Sequence, residues 1–136
     1  MLYSDGGARG NPGPAAVAFL ITSRNGQVLT ANSRYIGPHT NNQAEYKALI
    51  WALESAVALN AEEVICHLDS QLVVKQLTGE YTVKNSELKK LWSKVGELNR
   101  RFKKISYVSV SRTNIQIRKA DALVNEALDK EKRLKL

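Results

Sequence analysis

Most acidic residues of this chain fall on polar faces of expected helices, where a solvated charge explains them, but four stand apart: Asp5, Glu45, Asp69 and Asp121. Asp5 is expected at the end of a first strand, where a Gly/Pro-rich loop begins, and Asp69 at the end of a fourth strand, just before a helix. Glu45 falls in the first turn of a long helix, and Asp121 is expected in the first turn of the last one. Strand ends and helix starts of an α/β sheet gather at its rim, so all four can converge on one point. Converging carboxylates repel, and each raises the others' pKa unless a cation neutralises them. With no Cys or His ligand at matching spacing, this hard-oxygen set selects Mg²⁺ or Mn²⁺ over zinc. Such a set suits two ions about 3.5–4 Å apart, one activating water and one stabilising the leaving oxygen of a phosphodiester. Taken singly, Asp5 and Asp69 also read as ordinary turn or cap residues.

The elements that must position these groups follow from residue spacing. Leu2 to Ser4 begins a strand, Ala15 to Thr22 is rich in small and β-preferring residues, and the Asn25-Gly26 turn returns the chain through Val28 to Ile36. From Thr40 a helix is expected, with Asn42 and Glu45 at near-capping-box spacing and Ala48, Leu49, Ala52, Leu53, Ala56 and Leu59 at helical period. Glu63 to Leu68 reads as a buried strand and Gln71 to Leu77 as a helix ending at Gly79. Asn85 to Phe102 forms an amphipathic helix that places Trp92 on its apolar face, Ile105 to Val110 a fifth strand, and Arg118 to Leu136 the last helix. Three antiparallel strands followed by alternating helix and strand give an α/β mixed sheet with helices on both faces.

Four blocks in this order are similar to type 1 ribonuclease H. They are Asp5-Gly6-Gly7-Ala8-Arg9-Gly10-Asn11-Pro12-Gly13-Pro14, Thr40-Asn41-Asn42-Gln43-Ala44-Glu45-Tyr46-Lys47-Ala48-Leu49, Asp69-Ser70-Gln71-Leu72-Val73 and Ala120-Asp121-Ala122-Leu123-Val124-Asn125. The resemblance spans essentially the whole chain and implies a ribonuclease H-like fold, five strands in the order 3-2-1-4-5, in one domain over residues 1–136. It implies that Asp5, Glu45, Asp69 and Asp121 are the catalytic and metal-binding carboxylates, with two Mg²⁺ or Mn²⁺ ions. The implied reaction is hydrolysis of the RNA strand of an RNA–DNA hybrid, leaving 3′-OH and 5′-phosphate ends, with double-stranded RNA as a further candidate substrate. A nuclease of the same fold acting on DNA, or a non-catalytic nucleic-acid binding module, are the alternatives.

Short amides can sense ribose 2′-OH groups across a shallow minor groove. Asn11, Asn41, Asn42 and Gln71 match hybrid-contacting positions of the family, and Thr40 a phosphate-binding one; Asn41 and Asn42 also read as helix caps. Gly6 and Gly7 would admit a nucleic-acid backbone closely, or serve turn geometry alone. Many bacterial members carry a histidine in the loop before the last helix. Ser111 to Lys119 has none, which makes Arg112 and Arg118 the candidates for the cationic role. His39 and His67 lie elsewhere, the latter as a packed strand residue.

Composition agrees with a nucleic-acid partner. The 136 residues carry a formal charge of +7, and its distribution is lopsided. Residues 1–69 hold four Lys/Arg against six Asp/Glu, and the remainder sixteen against seven. A basic half suits a polyanion, although a solubilising surface would look the same. No stretch approaches the roughly 18 apolar residues needed to cross a bilayer, and the first residues lack the pattern of a signal peptide. A cytoplasmic monomer is therefore expected. The single cysteine, Cys66, lies in an apolar strand and reads as core filler.

Overall fold

A computed structural model describes residues 1–135. Its elements are β1 (Leu2–Ala8), β2 (Gly13–Thr22), β3 (Val28–His39), α1 (Asn41–Ala58), β4 (Glu63–Leu68), α2 (Gln71–Leu77), α3 (Ser86–Asn99), β5 (Lys104–Ser109) and α4 (Ile115–Leu134). The strands form one sheet in the order β3-β2-β1-β4-β5. β1 to β3 are antiparallel neighbours, whereas β4 pairs parallel to both β1 and β5.

Alternation along β2 builds two cores. Phe19 and Ile21 face α1, where they meet Tyr46, Leu49, Leu53 and the small residues Ala52 and Ala56. Ala16 and Ala18 face the other way, onto Val124 and Leu128 of α4. The period-2 pleat and the period-3.6 helix make these faces continuous, and each fully buried leucine contributes about 2 kcal/mol. Helices thus cover both faces, as the pattern predicts. Cys66 is completely buried and its thiol is pushed up to about 12 by burial, which suits core filler. His67 stacks on Tyr3 and its Nδ1 lies 3.0 Å from the Leu2 carbonyl, a packed strand residue.

Four sequence expectations change. The first strand does not end at the Asp5 carboxylate but runs on through Gly6, Gly7 and Ala8, since those residues pair with Val17, Ala16 and Ala15 of β2. The capping box of α1 is made by Thr40 and Gln43, not Asn42 and Glu45: Thr40 Oγ1 accepts from Gln43 N–H while Thr40 N–H donates to Gln43 Oε1. α4 starts at Ile115 because Asn114 caps it, its Oδ1 accepting from the Gln116 and Ile117 N–H groups. Asp121 consequently sits in the second turn. Trp92, expected in the core, is 39% exposed; it lies over α2, its Nε1–H donating to the Gln76 carbonyl.

Candidate active site

β1 and β4 run parallel at the centre of the sheet and bring Asp5 and Asp69 side by side, and α1 overhangs them with Glu45, which stands at the start of its second turn and not in the first turn as the sequence suggests. One carboxylate oxygen from each of Asp5, Glu45 and Asp69 lies within 4.8 Å of the other two. Among the described residues this is the one such group of potential ligands. A cleft of about 500 Å³ opens over it and is also lined by Asp121, which is exposed on α4. The structure therefore brings all four carboxylates to one cleft, three tightly and Asp121 at the rim.

Close approach of α1 to β1 makes the trio possible. A Cβ on Gly6 would lie 2.2 Å from the Ala44 carbonyl oxygen and 2.8 Å from the Glu45 nitrogen. Gly6 thus serves helix-on-strand packing. Gly7 faces Val124 at an ordinary 3.8 Å.

Electrostatics marks the site as short of positive charge. Burial raises the Asp5 carboxyl, and the charges of Asp69 and Asp121 raise it further, to about 8. Glu45 is held well above the usual carboxylate range, first by burial and then by Asp5 and Asp69, with the Gly6 N–H opposing. Glu45 Oε2 is buried without a hydrogen-bond partner. A buried carboxylate oxygen without a donor, beside two further carboxylates, suits a hard divalent cation, so the residues present fit Mg²⁺ or Mn²⁺.

A testable consequence concerns the metal-free protein. An acid whose folded pKa exceeds its unfolded value, about 3.9 for Asp, holds its proton more tightly when folded. Its stabilising contribution is complete below about pH 4 and is lost as pH climbs through about 8. In EDTA, the Tm of the wild type relative to Asp5→Asn is expected to fall between pH 4 and 8, and millimolar Mg²⁺ to close the gap. Parallel Tm curves for the two proteins would contradict a carboxyl held this far above its ordinary value.

Not every residue expected at the substrate contacts lines the cleft. Gly6, Gly7, Asn41, Asn42 and Arg112 do; Asn11, Thr40, Gln71 and Arg118 do not. Asn11 Oδ1 accepts from the Asn41 N–H, and Asn41 Oδ1 accepts from the Ala8 N–H, so the two amides lash the β1–β2 turn to the start of α1. Thr40 is spent on its capping box, and Gln71 is exposed at the first position of α2. Arg112 Nε lies 3.8 Å from Asp69 Oδ2. Arg118 is an exposed residue of α4, the fourth of the helix and not its first, because the helix begins at Ile115. His39 closes β3, its Nδ1 3.2 Å from the Gly37 carbonyl.

Arg9 and Asn125 also line the cleft, and sequence reasoning passed over both. Asn125 had a signal, since it stands four residues after Asp121 on the same helix face. Arg9 had none, because only the folded turn brings it to α4.

Comparison with known proteins adds the following. Residues 3–127 match a family described as "Reverse transcriptase-like". The chain is 44% identical over 127 residues to a protein named Ribonuclease HI from Halobacterium salinarum, covering 93% of this chain and 63% of that one. It is 41% identical over 130 residues to a bifunctional protein of Mycobacterium tuberculosis, covering 95% of this chain but 35% of that protein. The chain thus spans less than two thirds of these relatives. The crystal structure of RNase H1 from Halobacterium salinarum is similar at a TM-score of 0.91 and 43% identity, over 95% of this chain and 96% of that one. LC11-RNase H1, solved in complex with an RNA/DNA hybrid, is similar at 0.89 and 42%, over 96% of each chain.

Proposed function

The chain belongs to the type 1 ribonuclease H family, and from that premise we propose that it is an endoribonuclease hydrolysing the RNA strand of RNA–DNA hybrids, leaving 3′-OH and 5′-phosphate ends. The observation that carries this is the trio Asp5, Glu45 and Asp69, gathered within 4.8 Å under a solvent-open cleft. Asp5, Glu45, Asp69 and Asp121 would hold two Mg²⁺ or Mn²⁺ ions with substrate present. When bound, such ions supply charge neutralisation and water activation to phosphodiester hydrolysis. Asp5 is buried and Glu45 Oε2 is shielded at the base of the cleft, whereas Asp121 stands exposed on α4 at its edge.

On the substrate side, Asn41 has its carbonyl oxygen tied to Ala8, which leaves its amide N–H groups to donate toward ribose or phosphate oxygens in the cleft. Asn42 lines the same wall. Asn11 contributes by fixing Asn41, and Gln71 and Thr40 flank the cleft and would meet a strand extending beyond it. The sixteen basic residues after Asp69 supply sequence-independent attraction to phosphate. We read residues 1–136 as one ribonuclease H domain acting as a monomer in the cytoplasm; among the described residues, no helix is long and apolar enough to cross a membrane.

Of the two candidate auxiliary cations, Arg112 is the one at the site: it is 91% exposed and pairs with Asp69 at 3.8 Å. Its pKa suits it to neutralise phosphate rather than donate a proton. Arg112→Ala is expected to lower kcat/KM about five- to tenfold and to reduce the salt slope of hybrid binding by about one. Arg112→Lys should recover most of the slope. An unchanged slope in the alanine variant would remove Arg112 from the substrate contacts.

The deciding assay incubates the purified protein with labelled hybrid, double-stranded RNA and double-stranded DNA, each with Mg²⁺, Mn²⁺ or EDTA. Metal-dependent cleavage of the hybrid's RNA strand is expected. Cleavage of DNA alone, or cleavage that persists in EDTA, would overturn the reading.

A further inference from the structure

Asp121 is the exposed member of the carboxylate set, and an exposed aspartate on a helix ordinarily samples several rotamers. Here it is engaged. Asn125, one turn later, places its Nδ2 3.5 Å from Asp121 Oδ2 and 3.1 Å from the Asp121 carbonyl. A side-chain amide can present either its donors or its acceptor to a neighbour, and only the donors suit a carboxylate. Arg9 decides which. Its Nη2 lies 3.4 Å from Asn125 Oδ1 and 3.5 Å from the Asn125 carbonyl, and is anchored 2.7 Å from Asp129 Oδ1. With Oδ1 claimed by a guanidinium, the amide nitrogen must face Asp121.

The turn that carries Arg9 is itself braced. Arg9 N–H donates to the Pro14 carbonyl, closing the β1–β2 connection. Across the same connection Asn11 accepts from Asn41 at the start of α1. The turn therefore spans the cleft as a strut, tied on one side to the helix bearing Glu45 and on the other to the helix bearing Asp121.

We infer that Arg9 and Asn125 are positioning residues for the nuclease site, with Arg9 orienting the Asn125 amide so that it holds the Asp121 carboxylate over the Asp5–Glu45–Asp69 trio. The inference rests on the reading of Asp121 as a member of that site. It concerns orientation, since neither residue need touch the reacting atoms.

The test compares wild type, Asn125→Ala, Arg9→Lys, Asp121→Asn and the double variant Asp121→Asn/Asn125→Ala. A hydrogen bond to a charged group, once lost, is expected to cost about tenfold. Asn125→Ala should lower kcat about tenfold with KM for hybrid and Tm nearly unchanged. All three Arg9 contacts run through Nη2, held in place by the rigid guanidinium plane; Arg9→Lys keeps a cation for Asp129 but on a freely rotating ammonium, so Tm should hold while kcat falls about fivefold. In the Asp121→Asn background, Asn125→Ala should cost nothing further. Independently of turnover, titration with Mn²⁺ alone, read by its Tm shift, should show a severalfold higher half-saturation in Asn125→Ala and in Arg9→Lys. Wild-type kcat and Mn²⁺ half-saturation in Asn125→Ala would overturn the inference, as would an undiminished penalty in the double variant. A raised KM and altered salt slope in Arg9→Lys, with kcat intact, would overturn it in favour of a direct phosphate contact. If the wild type itself cleaves no hybrid, the functional reading falls, while the Mn²⁺ titration still decides the positioning role.

Discussion

Asp5→Asn is expected to reduce hybrid cleavage at least a thousandfold, leave hybrid binding within a few fold, and raise the Tm of the metal-free protein above wild type. The three effects share one cause. Asp5 is 6% exposed and shares its rim with Glu45, Asp69 and Asp121, so its burial and the surrounding negative charge lift its carboxyl to about 8. From about pH 4 upward the unfolded chain ionises this carboxyl freely, while the folded protein must keep it protonated or, beyond about 8, confine repelling charges. Replacing the carboxylate by an amide of the same shape removes the repulsion and stabilises the empty site. The same replacement removes a central ligand of a cation-dependent reaction, and each 1.36 kcal/mol of lost transition-state stabilisation is tenfold in rate. Binding survives because affinity for nucleic acid rests mainly on basic side chains and phosphates. Kinetics at saturating Mg²⁺, hybrid binding by anisotropy and melting in EDTA read the three effects separately. Substantial residual turnover, or a lower Tm in EDTA, would show that Asp5 is not at the charge-crowded centre of the site.

The elements on which the carboxylates ride were legible because each depends on local signals. The Asn25-Gly26 turn, the apolar period after Thr40 and the short apolar run before Asp69 each determine their segment without help from distant parts of the chain. Failures fell where tertiary context decides. Gly6-Gly7-Ala8 looks like loop by composition, yet its pairing with Ala15, Ala16 and Val17 keeps it in the strand, so Asp5 stands mid-strand. Ser111 to Lys119 carries too little apolar period to mark Asn114 as the cap of α4, so the sequence pattern starts the helix at Arg118, three residues late. Asn11 and Asn41 have donors and acceptors to spare, and only the folded turn shows that they use some of these on each other. The Arg9–Asn125 pairing spans 116 residues and left no local trace.

Gly6→Ala is expected to be the most disruptive single-methyl change near the site, lowering stability by about 3 kcal/mol and Tm by roughly 10 °C. The added Cβ would sit 2.2 Å from the Ala44 carbonyl oxygen, a backbone atom that cannot rotate away. Nor can the strand retreat, since Gly6 is paired with Val17 in the middle of the β1–β2 ladder. The first turn of α1 must therefore lift. Ala44 C lies at 2.3 Å and Glu45 N at 2.8 Å, so the lift carries Glu45 away from Asp5 and Asp69. A displacement of about 1 Å at a reacting centre costs on the order of 100-fold in rate, and loss of that magnitude is expected in whatever fraction remains folded. Gly7→Ala supplies the contrast for stability: its Cβ would meet only Val124 Cγ1, at 3.8 Å, so its Tm should stay within a few degrees of wild type. Equal Tm losses in the two variants would mean that general strand flexibility, not the contact between β1 and α1, explains the glycine beside Asp5. A Gly6→Ala protein that melts like wild type yet turns over slowly would instead assign Gly6 to the substrate, one of the two roles its sequence context allows.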